Sequence, residues 1–205
     1  MSMVPERSAQ ADPSNGWEAV AAQLIAGRSR IGAATVRTWG RALPAGASVL
    51  DLGCGSGVPV SETLIEDGFV VWAIDASPSL VAAFRSRFPG APVACEAVEA
   101  SDYFGRTFDG IVAIGLMFLL QPDVQRAVIG GAASALKPGG RFLFTAPREM
   151  GTWVDIMTGR QSTSLGDEAY RKALADAGLT VVAEYVDEGD SHYYDASRQE
   201  SEQIA

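Results

Sequence analysis

Asp51 stands two residues before a run of alternating glycines, Gly53, Gly55 and Gly57, with Cys54 and Ser56 between them. Glycine at alternate positions allows positive φ and lets a ligand come close to the main chain. Val49 and Leu50 lead into the run, so it reads as a turn at the carboxyl end of a buried strand, where open α/β sheets bind ligands. A dinucleotide fingerprint needs a third glycine at position 58, and the chain has Val58 there. Asp51 would repel a diphosphate and attract an ammonium group. The chemistry of this turn therefore suits a cationic ligand. Asp75 follows about 20 residues on, at the end of the next apolar run, where a carboxylate can accept hydrogen bonds from both hydroxyls of a ribose.

The elements that must position these groups follow from period and punctuation. Phe69–Ile74 is nearly continuous apolar sequence, as expected of a strand buried on both faces. Ser77-Pro78 caps and opens a helix whose inner side carries Leu80, Val81, Phe84 and Phe88. Further strands are expected near Val93–Val98, Phe108–Leu116 and Arg141–Ala146, with a helix over Pro122–Leu136 and a turn at Lys137–Gly140. This alternation predicts a doubly wound, Rossmann-like α/β fold. A helix over Asp167–Ala177 and strands at Leu179–Val186 and from His192 close the chain. Two N-terminal helices are expected first. One is capped by Asn15 with Glu18 as its partner and buries Trp17, Val20, Ala21, Leu24 and Ile25; the other runs from Ser29 to Leu43. Residues 1–16 are polar, with Pro5 and Pro13, and read as a mobile arm before one domain spanning 17–205. From Pro147 to Gly166 neither period is sustained, which marks a lid, a binding loop or a disordered segment.

Composition narrows the function. At 205 residues and 47% hydrophobic the chain can bury a substantial core. A formal charge of −9 with no basic run argues against nucleic acid as a partner. No apolar stretch of about 18 residues and no signal-peptide core are seen, so a cytoplasmic protein without a membrane partner is expected. Two cysteines and one histidine suggest reduced thiols and no metal site. Nothing in the sequence fixes an oligomeric state.

The run D-L-G-C-G-S-G at 51–57 resembles the class I S-adenosylmethionine (SAM) methyltransferases, whose motif stands here unaltered, and the likeness extends over about residues 45–146. It implies a mostly parallel sheet of about seven strands with an antiparallel last strand, N-terminal helices capping the cofactor, and SAM as that cofactor. Cys54 and Gly55 would form the turn against it. Asp51, with the carbonyls of Gly53 and Ile114, would hold the methionine ammonium, and Asp75 the ribose. Ala76 and Ser77 would border the adenine. Its amino edge would be read by Glu96 or by the amide of Val98, with Ala97 between them. The family more often has aspartate at the position of Glu96. The amino-methylating DNA enzymes of the fold carry Asn/Asp-Pro-Pro-Tyr after strand four, where this chain has Ile114-Gly115-Leu116-Met117. A small-molecule acceptor is the expected partner, methylated by in-line displacement. An aminopropyl transferase on the same fold and a non-catalytic SAM- or nucleotide-binding protein are the alternatives.

The acceptor side is less determined. His192, flanked by Tyr193 and Tyr194, is either a general base or a histidine at a strand start. Trp153 is a wall of the acceptor pocket or a pin for its loop, and Arg148 meets a substrate carboxylate or solvent.

Overall fold

A computed structural model of the chain describes residues 12–27 and 29–199. Two helices come first, α1 (Trp17–Gly27) and α2 (Ala33–Gly40). Then strand and helix alternate: β1 (Ser48–Leu52), α3 (Val60–Glu66), β2 (Val70–Asp75), α4 (Pro78–Arg87), β3 (Val93–Cys95), β4 (Phe108–Ala113), α5 (Pro122–Ala135) and β5 (Leu136–Thr145). The chain continues through β6 (Gly151–Val154), β7 (Gln161–Ser164), α6 (Asp167–Asp176), β8 (Leu179–Val186) and β9 (His192–Arg198). Seven strands form one sheet in the order β3-β2-β1-β4-β5-β9-β8. The first five are parallel, and β9 runs antiparallel to both β5 and β8. Strand order reverses between β1 and β4, which opens a crevice at their carboxyl ends.

Both faces of the sheet are covered, and strand parity sorts the side chains between them. Leu50, Leu52, Ile111, Phe142, Phe144 and Tyr194 pack with α5 and α6 residues on one face. Val49, Val71, Val112, Leu143 and Tyr193 pack under Val36 and Trp39 of α2 and Leu64 of α3 on the other. Burying a side chain of this size contributes about 1.5–3 kcal/mol, so these two layers dominate the fold's stability. Trp39 is wholly buried, and Gly110 makes room for it: a Cβ there would lie 2.7 Å from the indole. Beneath Trp39 its Nε1 donates to Asp195 Oδ1 (3.2 Å), and Asp195 is also held by Arg141 and by the Tyr185 hydroxyl.

Several local features differ from the sequence reading. The unpatterned segment contains a two-stranded hairpin, β6–β7. All four β6 residues are exposed, and the buried β7 positions are Ser162 and Ser164, so no apolar alternation marked either strand. Lys137–Gly140 bulges within β5: the pairing with β4 jumps from Phe108↔Leu136 to Gly110↔Arg141, with Lys137 bonded to Asp109. Residues 12–16 of the expected mobile arm form a hydrogen-bonded turn in which Ser14 and Gly16 are buried; the rest of the arm lies outside the described residues. Ser14, not Asn15, caps α1 by accepting from the Glu18 amide (3.0 Å). The Glu18 carboxylate turns away to Ser77 and Ser79 at the start of α4. Of the expected buried face of α1, only Ala21 is fully buried.

Candidate functional site

The glycine turn leaves β1 with Gly53, Gly55 and Gly57 all at positive φ (68°, 57° and 83°). Gly53 N and Cys54 N both donate to Ile74 O of β2, at 2.8 and 3.0 Å. A Cβ on Gly57 would lie 2.4 Å from the Phe88 ring, so only glycine lets α4 pack this close. Asp75 supports the turn from the end of β2: one carboxylate oxygen accepts Gly55 N and the other Ser77 N, each at 2.8 Å. Asp51 is 2% exposed and accepts the Ser61 hydroxyl at 2.6 Å. Burial, then the charges of Asp51 and Asp75, push the Cys54 thiol well up, so it is no thiolate nucleophile.

Two cavities open along the carboxyl edge. The narrower, of about 80 Å³, lies between the ends of β2 and β3 and the start of α1. Asp75, Ala76, Glu96, Ala97 and Val98 line it from the sheet side, and Ser14, Asn15 and Trp17 from the N-terminal side. The larger, of about 600 Å³, has apolar walls at Ile31, Val60, Ile114 and Phe118, and polar groups from Arg148, Asp187, His192 and Tyr193. Gly115 lines both, and a Cβ there would meet no atom within 4 Å. Gly115 thus stands in the wall of both cavities.

His192 sits in the wall of the larger cavity. Its Nε2 lies 3.0 Å from Glu184 Oε2, and its Nδ1 is buried without a partner. Burial alone would raise the Glu184 carboxyl, but hydrogen bonds from His192 and Arg171 outweigh it and hold it below the ordinary value. The carboxylate is therefore ionised, and Nε2 must carry the proton that binds it. In the neutral ring that assignment leaves the lone pair on Nδ1. Arg148 lies 3.9 Å from Glu184 and 3.8 Å from Asp167, loose pairs that keep its guanidinium half-exposed at the rim. Tyr193 donates to Asp187 Oδ2 (2.8 Å), and Asp187 also accepts Gly189 N and Ser191 N, which fixes the turn between β8 and β9. A Cβ on Gly32 would stand 2.4 Å from the Tyr193 hydroxyl, so glycine lets the α1–α2 link cross here.

The sequence-derived candidates divide accordingly. Asp75, Ala76, Glu96, Ala97 and Val98 meet in the narrow cavity, with Gly53. Ile114 lies in the larger one instead, and Asp51, Cys54, Gly55 and Ser77 form the layer beneath. Tyr194 is not in either cavity. Residues 193 and 194 must face opposite sides of a strand, and Tyr194 stacks on Phe144 in the core with its hydroxyl on Asp167. Trp153 is also outside the cavity lining; it packs on Phe118, 5.7 Å between rings, which does line it. Trp17, expected only on a helix face over the cofactor, lines the narrow cavity, and Glu184, not among the expected site residues, pairs with His192. The signal for Glu184 was its place opposite Tyr194 in a hairpin, which makes it the diagonal, same-face neighbour of His192. Among the described residues no group of three or more His, Cys, Asp or Glu could hold a metal ion, and no helix is long and apolar enough to cross a membrane.

A glycine turn, an acid at the end of the second strand and a switch-point crevice make up the carboxyl edge of an open α/β sheet, where such folds bind ligands. A methyltransferase-domain family model matches residues 49–140. The ubiquinone biosynthesis O-methyltransferase of Xanthomonas axonopodis pv. citri is 34% identical over 157 residues, 74% of this chain and 57% of that protein. Its namesake in Coxiella burnetii is 33% identical over 104 residues, 49% of this chain and 43% of the relative. The chain thus spans about half the length of the curated relatives it matches. SAM-bound CalS10 from Micromonospora echinaspora, an amino pentose methyltransferase, superposes with TM-score 0.69 at 21% identity, over 96% of this chain and 100% of that one. CcbJ of Streptomyces caelestis superposes at 0.74 and 16%, over 93% and 98%. Residues 49–140 thus match a methyltransferase domain, and the chain shares the fold of these methyltransferases. Its residues fit SAM: open space at Gly115, a carboxylate at the end of β2, and a buried Trp17 Nε1 without a partner in the narrow cavity's wall.

Proposed function

We propose that this chain methylates a small, largely apolar acceptor at a hydroxyl group, with the adenosine of SAM in the narrow cavity and the acceptor in the larger one. The observation that carries the reading is that Gly115 stands in the wall of both cavities, with His192, held by Glu184, in the wall of the second. The name of the relatives, O-methyltransferases, supports oxygen as the methylated atom. When bound, SAM supplies a methyl group activated by a sulfonium. Asp75 would take the ribose hydroxyls with the carboxylate that already holds Gly55 and Ser77. Glu96, Ala97 and Val98 would border the adenine, together with Ala76. The carbonyls of Gly53 and Ile114 would hold the methionine ammonium near the Asp51 charge. The apolar walls exclude water and align the acceptor. His192 Nδ1 would accept the hydroxyl proton as the oxygen takes the methyl group, and Glu184 would stabilise the imidazolium. Arg148 and Tyr193 would orient the acceptor, and Trp153 would act through Phe118.

Binding tests this reading first. SAM and its demethylated product (SAH) should raise the melting temperature, and NAD and NADP should not. Asp75→Ala should weaken SAH binding by about 1.5–3 kcal/mol, the scale of hydrogen bonds to a charged group, or roughly 10- to 150-fold in Kd. Calorimetry showing unchanged affinity would remove the adenosine from this cavity. A protein that binds SAM but turns over no acceptor would be a sensor, and one that transfers from the decarboxylated nucleoside would be an aminopropyl transferase.

The position of α1 gives a second expectation. At about 80 Å³ the narrow cavity falls below the ~300–1,000 Å³ of ordinary ligand sites, so the N-terminal wall has to shift to admit a nucleoside. Amide exchange over residues 13–27 should slow when SAH binds, because that wall then closes on ligand. Equal exchange with and without SAH would make α1 plain scaffold.

A further inference from the structure

We infer that Trp17 is a recognition residue for the adenosine half of the cofactor, its indole N–H donating to a nitrogen or oxygen of the nucleoside. The inference rests on placing adenosine in the narrow cavity. Trp17 lines that cavity along with Asp75 and Glu96, and its Nε1 is buried with no acceptor. An indole nitrogen only donates, and it cannot rotate to another partner as a hydroxyl does. Buried polar groups in folded proteins are nearly all satisfied, so an orphan in a cavity wall needs an explanation. The other two orphans outside His192, Thr63 Oγ1 and Ser162 Oγ, line neither cavity and are both hydroxyls.

The backbone that carries the indole is tied down on either side of Trp17. Trp17 N donates to Ser14 O at 3.0 Å, so the ring leaves a fixed turn. Glu18, the next residue, accepts from Ser77 and Ser79, two and four residues past Asp75. Asn15 Nδ2 donates to Leu119 O (2.9 Å), on the turn after β4 that forms the opposite wall. These anchors are polar, and of α1 itself only Ala21 is fully buried. Such an element opens at low cost and re-forms on the same partners. It can give way to a nucleoside and then close with the N–H presented to it. Adenosine offers acceptors throughout, at its ring nitrogens and ribose oxygens, and a single donor aimed at them selects for nucleoside over an apolar ring.

Trp17→Phe keeps an aromatic wall and removes the N–H. Calorimetry with SAH should show Kd rising about 5- to 10-fold, one hydrogen bond's worth. 5′-Methylthioadenosine, which lacks the amino-acid half, should lose affinity by the same factor. Titrating SAH into the wild type should change tryptophan emission, and that change should vanish in Trp17→Phe. Equal affinity of wild type and variant for SAH, with Asp75→Ala weakened, would overturn the inference and leave the adenosine placement standing. If Asp75→Ala is unaffected too, the placement itself falls. A loss for SAH but not for 5′-methylthioadenosine would put the N–H on the methionine half and also overturn it. If Trp17→Phe lowers the apo melting temperature, the wild-type emission decides: a SAH-dependent change absent from the variant supports the role, and none overturns it.

Discussion

Replacing His192 with alanine should lower kcat by about 10²- to 10⁴-fold, the range for losing a positioned general base. SAH affinity should stay within about twofold, because His192 lines the acceptor cavity and not the narrow one. Glu184→Gln offers a graded version: it keeps the hydrogen bond to Nε2 but no longer fixes which nitrogen bears the proton. Its effect should fall between wild type and His192→Ala. The Glu184 carboxyl is held below its ordinary value, so its contribution to folding is full above pH ~4.5 and fades as pH falls through the folded pKa. Assays near neutrality therefore report chemistry and not unfolding. Full turnover by His192→Ala would mean that the acceptor arrives already deprotonated and that positioning alone suffices.

Asp195→Ala should be the most destabilising of these substitutions, by about 3–5 kcal/mol, because it strands the far side of a buried ion pair. Asp195 is fully buried on β9 and accepts from Trp39 Nε1, Arg141 and the Tyr185 hydroxyl at once. Its removal leaves an indole N–H and a guanidinium, itself only 19% exposed, without their acceptor. Denaturant unfolding should show a lower midpoint with an unchanged slope. Asp195→Asn should cost less, since an amide oxygen can still serve Trp39 and Tyr185. A loss below about 1 kcal/mol for the alanine variant would mean that water enters and replaces the carboxylate.

The residues around the glycine turn were legible from sequence because their constraints are local. Gly53, Gly55 and Gly57 take positive φ in the structure, and Asp75 lies against the turn as its position at a strand end implied. A parallel strand buried on both faces announces itself as a continuous apolar run, and β2 did so. The hairpin β6–β7 was invisible for the opposite reason: with β6 exposed throughout and serines at the buried positions of β7, it carries no hydrophobic period to read.

The acceptor side depended on long-range geometry. Tyr193 and Tyr194 look equivalent in sequence, but pairing with β5 sends one to the cavity and the other into the core. The slip between Val181 and Ala183 in the β8–β9 pairing then sets Glu184 opposite Tyr194 and so within reach of His192. Glu18 shows the same limit: the local capping pattern was present, yet Ser77 and Ser79, about sixty residues away, won its carboxylate. By itself the sequence determined the strand order's ingredients, the cofactor turn and its acids, since torsional freedom and burial period act over a few residues. The tertiary structure decided which face each side chain meets, what closes over the narrow cavity and which carboxylate orients the histidine, since those depend on strand register and packing between distant segments.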